Sequence, residues 1–226
     1  MAFYGSEKKK VLEASLWLSQ HGFFGSLRGS GGNVSMKVSQ SAMAITPSSV
    51  RYQDLASDEI CIVGLDGKAI EVKKGFKPSI ESGLHIAIYR NRPDVHAVVH
   101  THQTYGSVFA ILNMPIPPLF DEVSLALGES VEIIPYAISG SPELAANAAS
   151  KLSNHANAYI IQNHGILALG QNLDQAVLHA ELLEKVAQIY YLALSTGRPV
   201  STLPAPITDL AQALKGARDR VGQAKR

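Results

Sequence analysis

Cysteine is almost missing from this chain: 226 residues contain one, Cys61. An internal disulfide is thereby excluded, and so is a Cys-x-x-Cys metal or redox site. Cys61 sits in the apolar run Ile60-Cys61-Ile62-Val63 and reads as a buried strand residue, as free cysteines commonly are. Charge of one sign is also scarce. Beyond Lys8-Lys9-Lys10 no block of like charges occurs, and the formal net charge is +1. That leaves no electrostatic footprint for nucleic acid or an anionic membrane. No apolar stretch reaches the ~18–20 residues of a membrane span. The start, Met1 to Ser6, lacks the apolar core of a signal peptide. The expectation is a cytoplasmic protein with neither nucleic acid nor membrane as partner. With 46% hydrophobic and 17% charged residues, the chain has core material for one large domain or at most two small ones.

No repeat, low-complexity segment or clear linker interrupts it. Ser6 can cap a helix running to Gln20, stopped by Gly22. The glycine-rich loop Gly29-Ser30-Gly31-Gly32-Asn33 leads into an alternating strand, Val34 to Val38. Ala42 to Thr46 reads as its return, and Glu59–Val63 with Ala69–Val72 as a hairpin around Asp66-Gly67. A helix is predicted from Ser79 to Arg92, carrying Glu81, Leu84, His85, Ile88 and Tyr89. Ala97–Val99, Val131–Ile134, Ala158–Gln162 and Ile166–Leu169 read as strands. Helices are predicted over Thr104–Leu112, from the Ser141-Pro142 start, and over Leu173–Thr196. Residues 198–226 form a looser, proline-containing tail. The elements alternate without regular βαβ spacing, and hairpins dominate the first third. That favours a sheet with helices on both faces over a dinucleotide-binding topology. The glycine-rich loop agrees, because it precedes a strand and does not open a helix.

The chemistry concentrates in histidine. His100 and His102 stand two apart at the end of a buried strand, so both imidazoles point the same way. His164 also lies where a buried strand ends, followed by Gly165, which would let the backbone turn tightly. Three imidazoles with a carboxylate suit zinc, with cobalt or manganese as alternatives. Glu81 is the candidate carboxylate, although an acid at that helix start would also suit the helix dipole. Gly32-Asn33, Ser48-Ser49 and Ser79 flank regular elements, where free backbone N–H groups can bind an anion.

Five segments resemble the class II aldolase/adducin family in order and spacing. They are Ser30-Gly31-Gly32-Asn33-Val34-Ser35, Ile45-Thr46-Pro47-Ser48, Lys77-Pro78-Ser79-Ile80-Glu81, Arg92 to His102, and Gln162-Asn163-His164-Gly165. The resemblance implies a single α/β/α domain around a mixed, largely antiparallel sheet, assembled as a homotetramer with active sites between subunits. It implies His100, His102 and His164 as zinc ligands. Glu81 would bind the free metal and exchange the substrate proton, while Gly32, Asn33, Ser48, Ser49 and Ser79 line a phosphate pocket. Glutamate at position 81 resembles the aldolases, since the epimerases tend to have aspartate there.

Two departures bear on the substrate. Fuculose-phosphate aldolases carry a second serine after the equivalent of Ser79, where this chain has Ile80. Asp121 aligns where those enzymes have a catalytic tyrosine from a neighbouring subunit, so Asp121 or Glu122 is the candidate distal acid. The expected activity is cleavage of a ketose 1-phosphate to dihydroxyacetone phosphate and an aldehyde, through an enediolate stabilised by the metal. Epimerisation, dehydration or decarboxylation on the same framework is the alternative. A non-catalytic adducin-like interaction module is the alternative of another class.

Overall fold

The computed structural model describes residues 4–26 and 28–204. Eight strands form one sheet in the order β4-β3-β2-β1-β5-β8-β7-β6. They are β1 (Asn33–Ser39), β2 (Ala42–Ile45), β3 (Cys61–Gly64), β4 (Ala69–Glu71), β5 (Ala97–Thr101), β6 (Glu132–Ile134), β7 (Ala158–Ile161) and β8 (Gly165–Gly170). Neighbours are antiparallel except β6 and β7, which run parallel and are joined through a helix. The two strands at the sheet edges have three residues each.

Both faces are covered, which is why the central strands read as continuous apolar runs. Along β2, Met43 and Ile45 join one core, while Ala42 and Ala44 join the other. β7 alternates likewise, Tyr159 and Ile161 against Ala158 and Ile160. Helices α2 (Ser82–Asn91) and α5 (Pro142–Lys151) cover the first face. On the second lie α1 (Gly5–Gln20), α3 (Thr104–Leu112), α4 (Asp121–Leu127) and the long α6 (Leu173–Ser195). This is the three-layer α/β arrangement expected. Gly106 of α3 lets α6 and β8 approach, since a Cβ there would lie 2.8 Å from Ile166 and 3.2 Å from Leu183.

The C-terminal end of α2 is tied down by Arg92, only 1% exposed. Its guanidinium donates to both carboxylate oxygens of Asp94 (2.9 and 2.7 Å), to the Ala156 carbonyl (2.7 Å) and to Asn157 Oδ1 (3.1 Å). Burial tends to raise the Asp94 pKa, but the Arg92 hydrogen bonds and charge outweigh it and leave it below the ordinary value.

Two expectations need amendment. The second helix starts at Ser82, three residues later than Ser79. The reason is long-range: Ser79 N–H donates to the Thr46 carbonyl, Ser48 N–H to the Lys77 carbonyl, and Pro47 pairs with Pro78. The backbone before Ser82 is therefore drawn into a bridge with the segment after β2. Second, the first helix already begins at Gly5 with Tyr4 at its N-cap and no side-chain capping bond, so Ser6 lies inside it and does not cap it. Of the tail, residues 198–204 fall within the described part, and Leu203 N–H donates to the Pro118 carbonyl; residues 205–226 lie outside the described residues.

Candidate metal centre and active site

Four side chains converge at one end of β5. His100 pairs in register with Asn33 of β1 and with Leu167 of β8, so it stands mid-sheet and is fully buried. Its Nδ1–H donates to the Ile166 carbonyl at 2.7 Å, which leaves the Nε2 lone pair facing the site. His102 Nε2 lies 3.0 Å and His164 Nε2 3.2 Å from His100 Nε2. The three imidazoles each place a ring nitrogen within 4.8 Å of the others. Glu81 faces them, Oε2 at 3.2 Å from His100 Nε2 and Oε1 at 3.4 Å from His164 Nε2.

These separations have a simple meaning. Four ligand atoms bonded to zinc at 2.0–2.1 Å in a tetrahedron are about 3.3 Å apart. Four separations among these imidazole nitrogens and carboxylate oxygens run from 3.0 to 3.4 Å. Charge state agrees as well. Burial, with the neighbouring imidazoles adding to it, pushes His100 and His102 down to about 3, so both are neutral lone-pair donors near pH 7. Among the described residues two buried side-chain atoms have no hydrogen-bond partner, Glu81 Oε1 and His164 Nδ1. A buried polar atom without a partner costs about 1–3 kcal/mol, more if charged. Glu81 Oε1 points at the histidine cluster, so a cation there would offset that cost. The donor set fits a divalent metal.

The sequence-level alternative for Glu81, a helix cap, is not what its side chain does. Glu81 occupies the N-cap position of α2 but makes no side-chain capping bond. It is 4% exposed, and its Oε2 accepts from Asn33 Nδ2 at 2.7 Å.

Two glycines make the cluster possible. A Cβ on Gly165 would lie 2.5 Å from the Thr101 carbonyl and 2.6 Å from His102 Cδ2. Gly165 therefore serves close approach, whereas the tight turn expected of it belongs to Asn163, whose φ is 53°. Gly32 has φ 68°, and a Cβ there would lie 2.5 Å from the His100 carbonyl. Tyr52 OH donates to the Gly32 carbonyl at 2.8 Å and holds that turn in place.

A cavity of about 230 Å³ opens beside the cluster. It brings together Gly32, Asn33, Ser48, Ser49, Ser79, Glu81, His102 and His164, so the scattered anion-binding candidates share one wall. Ser79 is not at the helix start; its Oγ accepts from Glu81 N–H at 3.2 Å. Ile80 also lines the cavity and is 65% exposed. Sequence reasoning missed Ser139, whose Oγ lies 3.3 Å from His164 Nε2. Its only local signal is the Ser139-Gly140-Ser141 turn composition, and what seats it is the contact of Gly140 with the Ile80 carbonyl. Asp121 and Glu122 do not join the cavity of their own chain. Both are exposed, and Glu122 pairs with Lys185 at 3.0 Å. Of the remaining histidines, His179 is taken up structurally, its Nδ1 2.6 Å from the Leu169 carbonyl.

Known proteins match this arrangement along most of the chain. The family described as Class II Aldolase and Adducin N-terminal domain matches residues 9–191. An L-fuculose phosphate aldolase of Escherichia coli O6:H1 is 38% identical over 176 residues, 78% of this chain and 80% of that protein. A 5-deoxy-D-ribulose 1-phosphate aldolase of Bacillus thuringiensis serovar kurstaki is 35% identical over 193 residues, 85% of this chain and 89% of that protein. A solved L-fuculose 1-phosphate aldolase superposes with a TM-score of 0.84 at 32% identity, covering 91% of this chain and 94% of its own. The chain belongs to the class II aldolase and adducin N-terminal domain family.

Proposed function

We propose that this protein is a zinc-dependent aldolase that cleaves a ketose 1-phosphate reversibly to dihydroxyacetone phosphate and an aldehyde. The observation that carries the reading is the convergence of buried His100 and Glu81 with partly buried His102 and His164, Glu81 Oε1 having no hydrogen-bond partner. The L-fuculose phosphate aldolase and the 5-deoxy-D-ribulose 1-phosphate aldolase, 38% and 35% identical, support the reaction class. His100, His102 and His164 would hold the metal, with Glu81 as the carboxylate facing it. Zinc is the ion this donor set favours, with cobalt or manganese able to substitute.

When bound, the metal supplies Lewis-acid stabilisation of negative charge developing on the substrate oxygens, worth several kcal/mol of barrier. The protein's own groups move the protons. A base takes the hydroxyl proton of the carbon that becomes the aldehyde. The carbon–carbon bond breaks, and its electron pair stays with the three-carbon fragment. Glu81, having first taken up a proton from solvent, delivers it to this fragment's carbon while the base later returns its proton to solvent, a type of assistance worth about 10²–10⁴-fold. Asp121 or Glu122 of a neighbouring subunit is the base, in a homotetramer whose active sites lie between chains. Exposed Ile111, Leu112, Ile189 and Leu192 provide apolar surface for such association. The phosphate lies against Gly32, Asn33, Ser48, Ser49 and Ser79. No helix among the described residues is long and apolar enough to cross a membrane, which accords with a cytoplasmic site of action.

Dihydroxyacetone phosphate release from a panel of ketose 1-phosphates by zinc-loaded protein tests the reading, with His102→Ala as control. Release that disappears in the variant is expected. No release from metal-replete protein sinks the aldol reaction. Ile80 in the cavity wall then favours the second reading, epimerisation, dehydration or decarboxylation of a related sugar phosphate or hydroxy acid, because an apolar group stands where a phosphate donor would. A purified protein devoid of transition metal would instead support a non-catalytic adducin-like module.

A further inference from the structure

Behind Glu81 a line of polar side chains runs through the core. Asn33 Nδ2 donates to Glu81 Oε2 at 2.7 Å, and Asn33 Oδ1 lies 2.5 Å from His85 Nε2. His85 Nδ1 lies 2.6 Å from Ser35 Oγ, which lies 2.7 Å from Tyr89 OH. His85 and Ser35 are fully buried, Tyr89 is 2% exposed and Asn33 4%. Two strand residues, 33 and 35, thus face the N-cap residue 81 and two helix residues, 85 and 89, along β1 and α2. Nothing in the proposed chemistry uses His85, Ser35 or Tyr89.

The direction of every hydrogen bond follows from the carboxylate at the end. An ionised carboxylate only accepts, so Asn33 must present its NH₂ to Glu81 and its carbonyl to His85. His85 must then carry its hydrogen on Nε2 and accept at Nδ1. Ser35 donates to that Nδ1, and its oxygen is left to accept from Tyr89. A flipped Asn33 amide would set oxygen against the Glu81 carboxylate, and the His85 Nε2–H would lose its acceptor. His85 is the group that blocks the flip.

We infer that His85, backed by Ser35 and Tyr89, is a positioning residue that locks the Asn33 amide so that Glu81 keeps one oxygen fixed and the other free for metal and proton. The inference rests on the reading of Glu81 as the acid–base group. The line orients and does not conduct. Asn33 interrupts it, because an amide between carboxylate and imidazole has no ready proton to pass on. Burial holds the His85 imidazole neutral, at about 3, which suits a fixed tautomer.

Two measurements test it. In metal-free protein near neutral pH, long-range ¹H–¹⁵N spectra of labelled histidine should show His85 as the Nε2–H tautomer alone. An Nδ1–H form, or a mixture, overturns the proposal. This arm needs no turnover, so it stands even if the aldolase reading fails. The second is a kinetic cycle on zinc-loaded protein. Tyr89→Phe, which keeps the ring, should lower kcat a few-fold with KM and metal content unchanged, and His85→Leu about 10–100-fold, the range for groups that orient a site residue from behind. In an Asn33→Ala background Tyr89→Phe should cost nothing further, since its effect passes through Asn33. Additive losses would mean independent structural damage and would overturn the proposal. His85→Gln, which restores a donor toward Asn33, should recover part of the loss seen in His85→Leu; equal loss in both counts against the lock.

Discussion

Helix α2 carries a buried charged group at each end, and the two are built to opposite rules. At the C-terminal end Arg92 is enclosed with each nitrogen answered: Nε and Nη2 donate to Asp94, Nη2 also to Asn157, and Nη1 to the Ala156 carbonyl. At the N-terminal end Glu81 is enclosed nearly as deeply, yet its Oε1, turned toward the histidine cluster, accepts no hydrogen bond. Both charges suit the helix dipole, acid at the start and base at the finish, so the dipole does not explain the difference. A completed cluster holds a chain crossing in place. An incomplete one holds room for something that arrives later. Burial alone does not separate a structural charge from a working one; the count of satisfied atoms does.

Glu81→Gln should have the largest effect on activity, lowering kcat about 10²–10⁴-fold while the melting temperature stays constant or rises. Removing a buried carboxylate with an unanswered oxygen relieves desolvation. Parallel kinetics and thermal melts check this, and a large loss of stability would break the contrast. Arg92→Met should do the reverse. It strands Asp94, Asn157 and a carbonyl, costing about 3–5 kcal/mol in denaturant titration, with zinc stoichiometry unchanged in whatever remains folded.

Acid should divide the two ends again. His85, His100 and His102 titrate near 3 when folded against an ordinary value of 6.5. Between those limits the unfolded chain binds protons that the folded one refuses, so stability falls as pH drops from about 6.5 toward 3. Each such histidine adds a slope of up to about 1.4 kcal/mol per pH unit. Asp94, held below its ordinary value, stays ionised for most of that window. Chelator-treated protein should therefore lose stability steeply below pH 6, and bound zinc should raise the whole curve without flattening it, because its ligands must stay deprotonated. A flat curve without metal would mean that the imidazoles are protonated in the folded state. The smallest stability effect belongs to Glu122→Gln: breaking its exposed pair with Lys185 should cost no more than ~1 kcal/mol. Any large loss of turnover there would have to come from a neighbouring subunit's site.

What could be read from the chain beforehand follows from the range of the forces involved. The strands and α6 were legible because strands buried on both faces leave short continuous apolar runs between turn residues, and a long amphipathic helix leaves a 3.6-residue period. His100 and His102 were legible because two residues in an extended strand face one way whatever surrounds them. The start of α2 was not, since the Pro47–Pro78 bridge that displaces it joins segments thirty residues apart in sequence. Ser139 escaped because a loop contact seats it, and Gly165 was assigned the wrong task because only the fold shows what its Cβ would strike. His85 read as a helix-face histidine; its partners on β1 lie about fifty residues away. Arg92 read only as a helix stop.

The sheet's outer boundaries have a consequence for crowding. β4 and β6 span three residues each, and β4 is flanked by Lys68, Lys73 and Lys74. Short margins bordered by charge give a foreign strand little backbone to pair with. A sheet whose central strands are apolar thereby offers little free edge as a template for fibrils.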